Sequence, residues 1–414
     1  MHPRTFCSRW TVIGVALVSA APVPALAQHS VTRADAVASA LERGARLGVA
    51  RADTAAALAQ LTTARALQNP ALSASYSKST PRYHVTMELP IDFPALRRAR
   101  IGSAEAARTA EGYRFAFERA AVTLDADTTY TRALAAREHA RLSHRNAQEA
   151  DSLRIIAVQR RDAGDASDMD VELATVNAGQ AANVAAADSL GFLSSVLDLQ
   201  AVMGLTDQQV AVVPGDSLTV PRPADTSRTT VTSRSAEPLS VAAAQAQLRS
   251  AALGLRMQRR SIFTSPSIVF GFETGDPTHA EPGMLPTFGV ALPLPLLNRN
   301  SGPIAQAEAE RMRAQAELTL ATVESRVEIA RAARKQAIAL AKVQRDQSLV
   351  ASANRVASMS LTAYREGASP LATVLEAQRN ARDVLAQYVD DLADAWIAAA
   401  ELHVLTLTPG STAP

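Results

Sequence analysis

Two rhythms of apolar residues alternate along this chain. Over four short stretches they recur at every second position, the spacing of a strand with one buried face. In 83–89, Tyr83, Val85, Met87 and Leu89 share a face and His84, Thr86 and Glu88 the other. In 71–77, Leu72, Ala74 and Tyr76 oppose Ser73, Ser75 and Ser77. In 267–273, Ile268, Phe270 and Phe272 oppose Ser267, Gly271 and Glu273, with Val269 an exception. In 286–292, Phe288, Val290 and Leu292 oppose Thr287, Gly289 and Ala291. Elsewhere the spacing is helical. Leu96 to Asp162 holds no proline and two glycines, Gly102 and Gly112, and would span about 100 Å as one helix. Ile304 to Glu366 holds neither residue. The last run repeats in steps of four and three (Val374, Gln378, Ala381, Leu385, Tyr388, Leu392, Ala395, Ala399, Leu402), a coiled-coil seam.

The same events occur twice in the same order. Asn69-Pro70 and Ser265-Pro266 each open a strand pair, and Leu89-Pro90-Ile91 and Leu292-Pro293-Leu294 each close one. A long helix follows each pair and breaks at a glycine, Gly164 or Gly367, before Ala166-Ser167 or Ala368-Ser369 and a second helix. The expected organisation is a repeat over 28–204 with its hairpin tip near 164–168, a Pro-, Ser- and Thr-rich linker over 205–237, a repeat over 238–407 with its tip near 366–370, and a tail over 408–414. The fold class expected is mainly α with a small β part. The strands admit two readings. One is an antiparallel sheet on a soluble core, the other a lipid-facing barrel with a wet interior. Four strands cannot close a membrane barrel alone, so the second reading requires chains to pool strands.

Composition narrows the functions. Of 414 residues 47% are hydrophobic but only 4% aromatic, so alanine supplies much of the apolar count and thin helix seams are favoured over thick cores. No run after residue 27 reaches the about 18 apolar residues of a membrane helix. A net charge of +2 argues against nucleic acid as a partner. Residues 1–27 read as a secretory signal peptide, with Arg4 and Arg9 before the apolar Val12–Ala21 run and a small-x-small site at Ala25-Leu26-Ala27. The one cysteine, Cys7, lies inside it. No phosphate-binding glycine loop, Gly-x-Ser-x-Gly or His-Glu-x-x-His occurs, and His139 and His144 are five apart, wrong for one helix face. Neither catalysis nor a cofactor nor a resident metal is expected.

Three stretches carry a resemblance: Asn69-Pro70-Ala71-Leu72, Leu292-Pro293-Leu294-Pro295-Leu296-Leu297-Asn298-Arg299-Asn300 before Gly302, Ile304 and Ala307, and Tyr364-Arg365-Glu366-Gly367-Ala368-Ser369 running into Val374-Leu375-Glu376-Ala377. The chain resembles the TolC family of outer membrane efflux proteins, and the second stretch is most similar to the CzcC branch, which serves metal-cation exporters of the resistance-nodulation-division (RND) class. The resemblance implies a homotrimer whose chains give four strands each to one twelve-stranded outer membrane β-barrel, on a periplasmic tunnel of helices with the 205–237 linker at its equator. It implies a passive duct joined through a periplasmic adaptor to an inner membrane RND-type pump. Adaptor docking is expected at the tips, at Gly164, Ala166, Ser167, Tyr364, Gly367, Ala368 and Ser369. A carboxylate constriction is expected from Asp165, Asp168, Asp170, Glu172 and Glu376. Many family members place two acids three apart at the start of the last helix, whereas here Thr373 takes the first place and Glu376 the second. Asp165, Asp168 and Glu172 share one face if their helix begins at Asp165. The rival class is a soluble periplasmic coiled-coil scaffold or adaptor. Within the resemblance, cargo stays open among metal cations, drugs and secreted proteins.

Overall fold

The computed structural model describes residues 29–205, 212–221, 237–262, 266–275, 283–295 and 297–409. The signal peptide expected over 1–27, most of the 205–237 linker and residues 410–414 of the tail lie outside the described residues. The elements are β1 (His29–Val31), α1 (Arg33–Arg43), α2 (Ala45–Arg65), β2 (Ala71–Tyr76), β3 (Tyr83–Pro90), α3 (Pro94–Asp162), α4 (Asp168–Val202), β4 (Val212–Pro214), α5 (Leu239–Arg260), β5 (Ser267–Thr274), β6 (Leu285–Ala291), α6 (Ser301–Arg365) and α7 (Leu371–Leu405).

β2, β3, β5 and β6 form one antiparallel sheet in that order, with β3 against β5 joining the two halves of the chain. The register carries the alternation of each strand across all four. Leu72, Met87, Phe270 and Phe288 line up in one row, and Leu89, Ile268 and Val290 in another. On the opposite face Ser73, Thr86, Gly271 and Thr287 form a row, as do Ser75, His84 and Glu273. Ser73 Oγ and Thr86 Oγ1 lie 2.6 Å apart, His84 Nδ1 is 3.2 Å from Glu273 Oε1, and the Ser267 hydroxyl donates to Glu88. A Cβ on Gly271 would lie 2.3 Å from the Val85 carbonyl oxygen, so a side chain there would force β3 and β5 apart. Among the described residues nothing covers the apolar face: Phe288 is 81% exposed and Val290 75%. β2 and β6 each leave one edge unpaired among the described residues.

α3 and α6 are continuous helices of 69 and 65 residues, each about 100 Å long. Near the sheet α2 and α5 lie against α3, and α5 also against α6; away from it α4 pairs with α3 and α7 with α6. The seams are built from alanine, including Ala126, Ala133 and Ala157 of α3 and Ala174 and Ala181 of α4, all buried. So small a side chain brings helix axes close and loses no rotamer freedom. The α7 seam appears as Val374, Ala381, Leu392 and Ala395, again buried. Beside it Asp391 is buried too, 3.0 Å from Lys342 Nζ of α6. His139 Nε2 lies 2.8 Å from Asp390 Oδ1, tying α3 to α7, while His144 Nε2 lies 3.2 Å from Gln148 Nε2 on the same helix. Among the described residues no helix is long and apolar enough to cross a membrane, which says nothing of strands.

Midway along α3 a polar clamp gathers distant segments. Composition reads 205–237 as loop, yet β4 forms there and pairs in parallel with β1. Three-residue strands are too short to show alternation. Tyr130 of α3, fully buried, donates to Asp216 Oδ2 at 2.8 Å, lies 2.9 Å from the Val31 carbonyl and accepts from the Asp216 N–H. Burial pushes its phenol up to about 12. The Arg33 N–H also donates to Asp216, while its guanidinium pairs with Asp127 and stacks 4.3 Å from the Trp396 ring of α7. Trp396 Nε1 donates to the Thr219 carbonyl at 2.6 Å. Tyr130→Phe strips the half-buried Asp216 carboxylate of a donor and should cost about 1.5–3 kcal/mol. Thermal unfolding followed by circular dichroism should show the lowered midpoint; an unchanged midpoint would contradict this role.

Candidate functional site at the hairpin tips

α3 and α6 end in the same way. At the first tip the Gly164 N–H donates to the Arg161 carbonyl and the Asp165 N–H to the Arg160 carbonyl. At the second the Gly367 N–H donates to Tyr364 and the Ala368 N–H to Ala363. Both are Schellman closures, which require a left-handed residue. Gly164 and Gly367 supply it at φ +86° and +76°.

The following helices start differently. Ser167 caps α4 in a reciprocal box: its hydroxyl accepts from the Asp170 N–H at 3.2 Å, and the Asp170 carboxylate accepts from the Ser167 N–H at 3.2 Å. Pro370 precedes α7 without a side-chain cap.

This geometry sorts the expected carboxylates. α4 begins at Asp168, so Asp165 lies in the turn and does not share a helical face with Asp168 and Glu172. Asp170 is turned back onto its own helix start. The Asp168 side chain is 91% exposed, 4.0 Å from Arg161, which is held closer by Asp162 at 2.7 Å. Glu172 and Glu376 are exposed on the second turns of α4 and α7. Among the described residues no group of three or more His, Cys, Asp or Glu could hold a metal ion.

Sequence reasoning missed the contact that joins the tips. Leu153, Ala157 and Ala174 of the first hairpin form one buried cluster with Tyr364, Leu371 and Val374 of the second. Arg160 sits on its rim. Its guanidinium lies 4.7 Å from the Tyr364 ring centre and donates to the Tyr364 and Asp165 carbonyls, so one side chain holds both turns. Tyr364 is buried, and among the described residues its hydroxyl has no hydrogen-bond partner. That burial raises its phenol above the ordinary value, while Arg160 pulls it down and Asp170 pushes it up. Tyr364 stood out in the sequence, but no signal along one helix names the residue it meets on another. Of the expected docking residues, Gly164, Ala166, Ser167, Gly367, Ala368 and Ser369 lie in the turns at the surface and Tyr364 lies beneath them.

The two contacts predict opposite outcomes. Arg160→Ala removes both carbonyl bonds and the ring contact and should speed amide exchange at both tips by about tenfold or more. Tyr364→Phe deletes an unpaired hydroxyl and should leave exchange unchanged or slower. Hydrogen exchange over 156–175 and 361–376 measures both; equal loosening by the two variants would sink this reading.

No protein-family model matches the chain. It is 26% identical over 343 residues to the cobalt-zinc-cadmium resistance protein CzcC of Cupriavidus metallidurans, covering 81% of this chain and 80% of that one. Among solved structures it is similar to the outer membrane protein VceC of Vibrio cholerae (TM-score 0.75, 17% identity, 90% of this chain and 96% of that one). It is also similar to CusC (0.72, 14%, 91% and 92%) and to the Campylobacter jejuni outer membrane channel CmeC (0.73, 14%, 90% and 85%). The resemblance read from the sequence stands: the chain is similar to CzcC over most of both lengths and has the fold of these outer membrane proteins.

Proposed function

We propose that three copies of this chain form an outer membrane efflux duct that reaches into the periplasm. The observation that carries it is the four-stranded sheet, with an apolar face bare across every strand and both edges unpaired. A barrel pooled from several chains answers both features at once. Its outer face meets lipid, and each β2 edge pairs with the β6 edge of the next chain. The helices favour the same head-to-tail closure. α4 and α6 lie outermost in the two hairpins, and near the tips each bears exposed apolar residues at matching height: Met169, Leu173 and Val176 on α4, Val356 and Met359 on α6. A heterologous contact of this kind closes into a ring. The number three comes from the likeness to the solved channels.

The rest of the reading is mechanical. The ring of helices encloses a passage, and no covalent bond is made or broken in it. An inner membrane pump of the RND class supplies the energy, and a periplasmic adaptor grips the turns around Gly164 and Gly367, the points farthest from the sheet. The cargo favoured is divalent metal cations, because the relative matched by sequence is named for cobalt, zinc and cadmium resistance. Threefold symmetry turns Asp168, Glu172 and Glu376 into rings of carboxylates at the mouth, which attract cations and repel anions. Asp170 contributes its charge from the helix cap and Asp165 from the turn. The Arg160 contact with Tyr364 holds the two hairpins of one chain together, and the mouth widens when it parts.

Single-channel recording in planar bilayers tests the duct and its mouth together. The wild-type trimer should conduct with cation selectivity. The Asp168→Asn, Glu172→Gln, Glu376→Gln triple variant should conduct with that selectivity reduced and with block by divalent cations relieved. Absence of any channel would refute the duct; a variant with unchanged selectivity and block would reduce these acids to helix-end charges.

A further inference from the structure

Short of the tips, the two hairpins leave a polar gap between them. A cavity of about 290 Å³ opens among α3, α4, α6 and α7, and each helix brings an amide to it: Asn146, Asn177, Asn354 and Gln378. Leu142 and Ala150 of α3 and Ala381 of α7, all buried, form its apolar walls. Asn146 lies fourteen residues before Arg160, hence about 21 Å along α3 from the contact that joins the tips. The lining carries two guanidinium groups, Arg145 and Arg382, against one carboxylate, Glu149. Glu149 stands one turn from Arg145 on the same face of α3, which offsets its charge. Arg382 of α7 is half-buried, and its Nε, shut off from water, has no hydrogen-bond partner among the described residues. A charged donor withdrawn from water is costly until something accepts from it.

We infer that this cavity binds a small hydroxycarboxylate, whose carboxylate accepts from the Arg382 guanidinium and whose hydroxyls meet the amides of Asn146, Asn177 and Gln378. Amides donate and accept, as hydroxyls do, whereas a guanidinium only donates. A bare oxyanion would leave the amides unused, and a neutral polyol would leave Arg382 without an anionic acceptor. The volume is close to the lower bound of small-molecule sites, about 300 Å³, and the apolar walls with a few convergent polar groups are typical of them. Every wall comes from one chain, so the inference does not rest on the duct reading. An occupant that touches all four helices binds best while the two hairpins are together, and so strengthens their union.

Calorimetric titration of the detergent-solubilised full chain with gluconate, sorbitol and acetate tests the site. Gluconate should saturate one site per chain, about tenfold or more tighter than the neutral polyol or the bare carboxylate. Arg382→Gln removes the charge and keeps a polar side chain; it should weaken gluconate by about tenfold or more, with the melting midpoint checked alongside. Hydrogen exchange locates the ligand: gluconate should slow exchange over 142–150 and 378–385 in the wild type and not in the variant. Absence of saturable gluconate binding, sorbitol or acetate binding as tightly, undiminished binding to Arg382→Gln, or protection confined to other segments would each overturn the proposal.

Discussion

Every backbone N–H and C=O removed from water must find a partner, and the described residues of this chain supply none at the two edges of its sheet. β3 and β5 are paired on both sides, β2 and β6 on one. The sheet also turns a continuous apolar face outward. Water tolerates open edges but penalises the apolar face, whereas lipid welcomes the face and forbids the edges. Pooling strands among chains is the arrangement that satisfies both.

The helical body solves a different problem. Helices of 65 and 69 residues cannot gather around one compact core, so stability is spread thinly along alanine seams. It is concentrated again in two knots. One is the Tyr130–Asp216–Arg33 clamp, where the start of the described chain and β4 are bound to the middle of α3. The other is the Arg160–Tyr364 contact at the tips. Between them the helix pairs hold mostly through small side chains, and small side chains allow helices to shift past one another at little cost in packing.

Much of the fold was legible because it is periodic. The strand at Tyr83–Pro90 and the helix at Ser301–Arg365 announce themselves by spacing and by the placing of Gly and Pro. The tip glycines were legible because a Schellman closure demands a left-handed residue. What escaped was short or non-local. β4 is three residues within a Pro- and Ser-rich stretch, and Arg160 is one arginine among many on its helix until the second hairpin is laid beside it. The carboxylates fall between. Their presence near the tips was plain, but that Asp170 would fold back on Ser167, and that Asp165 would precede the helix, depended on a start one turn later than an Asp165 start requires.

The central claim is that the apolar face of the sheet meets lipid and the polar face meets water. Single arginines placed along the strands test it most directly, read as the yield of trimer in the outer membrane fraction. At Met87, Phe270 and Phe288 each arginine should cost roughly 2–4 kcal/mol and deplete the trimer. At Ser73, Thr86 and Thr287, on the opposite face, the trimer should persist. Depletion by the second set with tolerance of the first, or no difference between the two, would contradict the account.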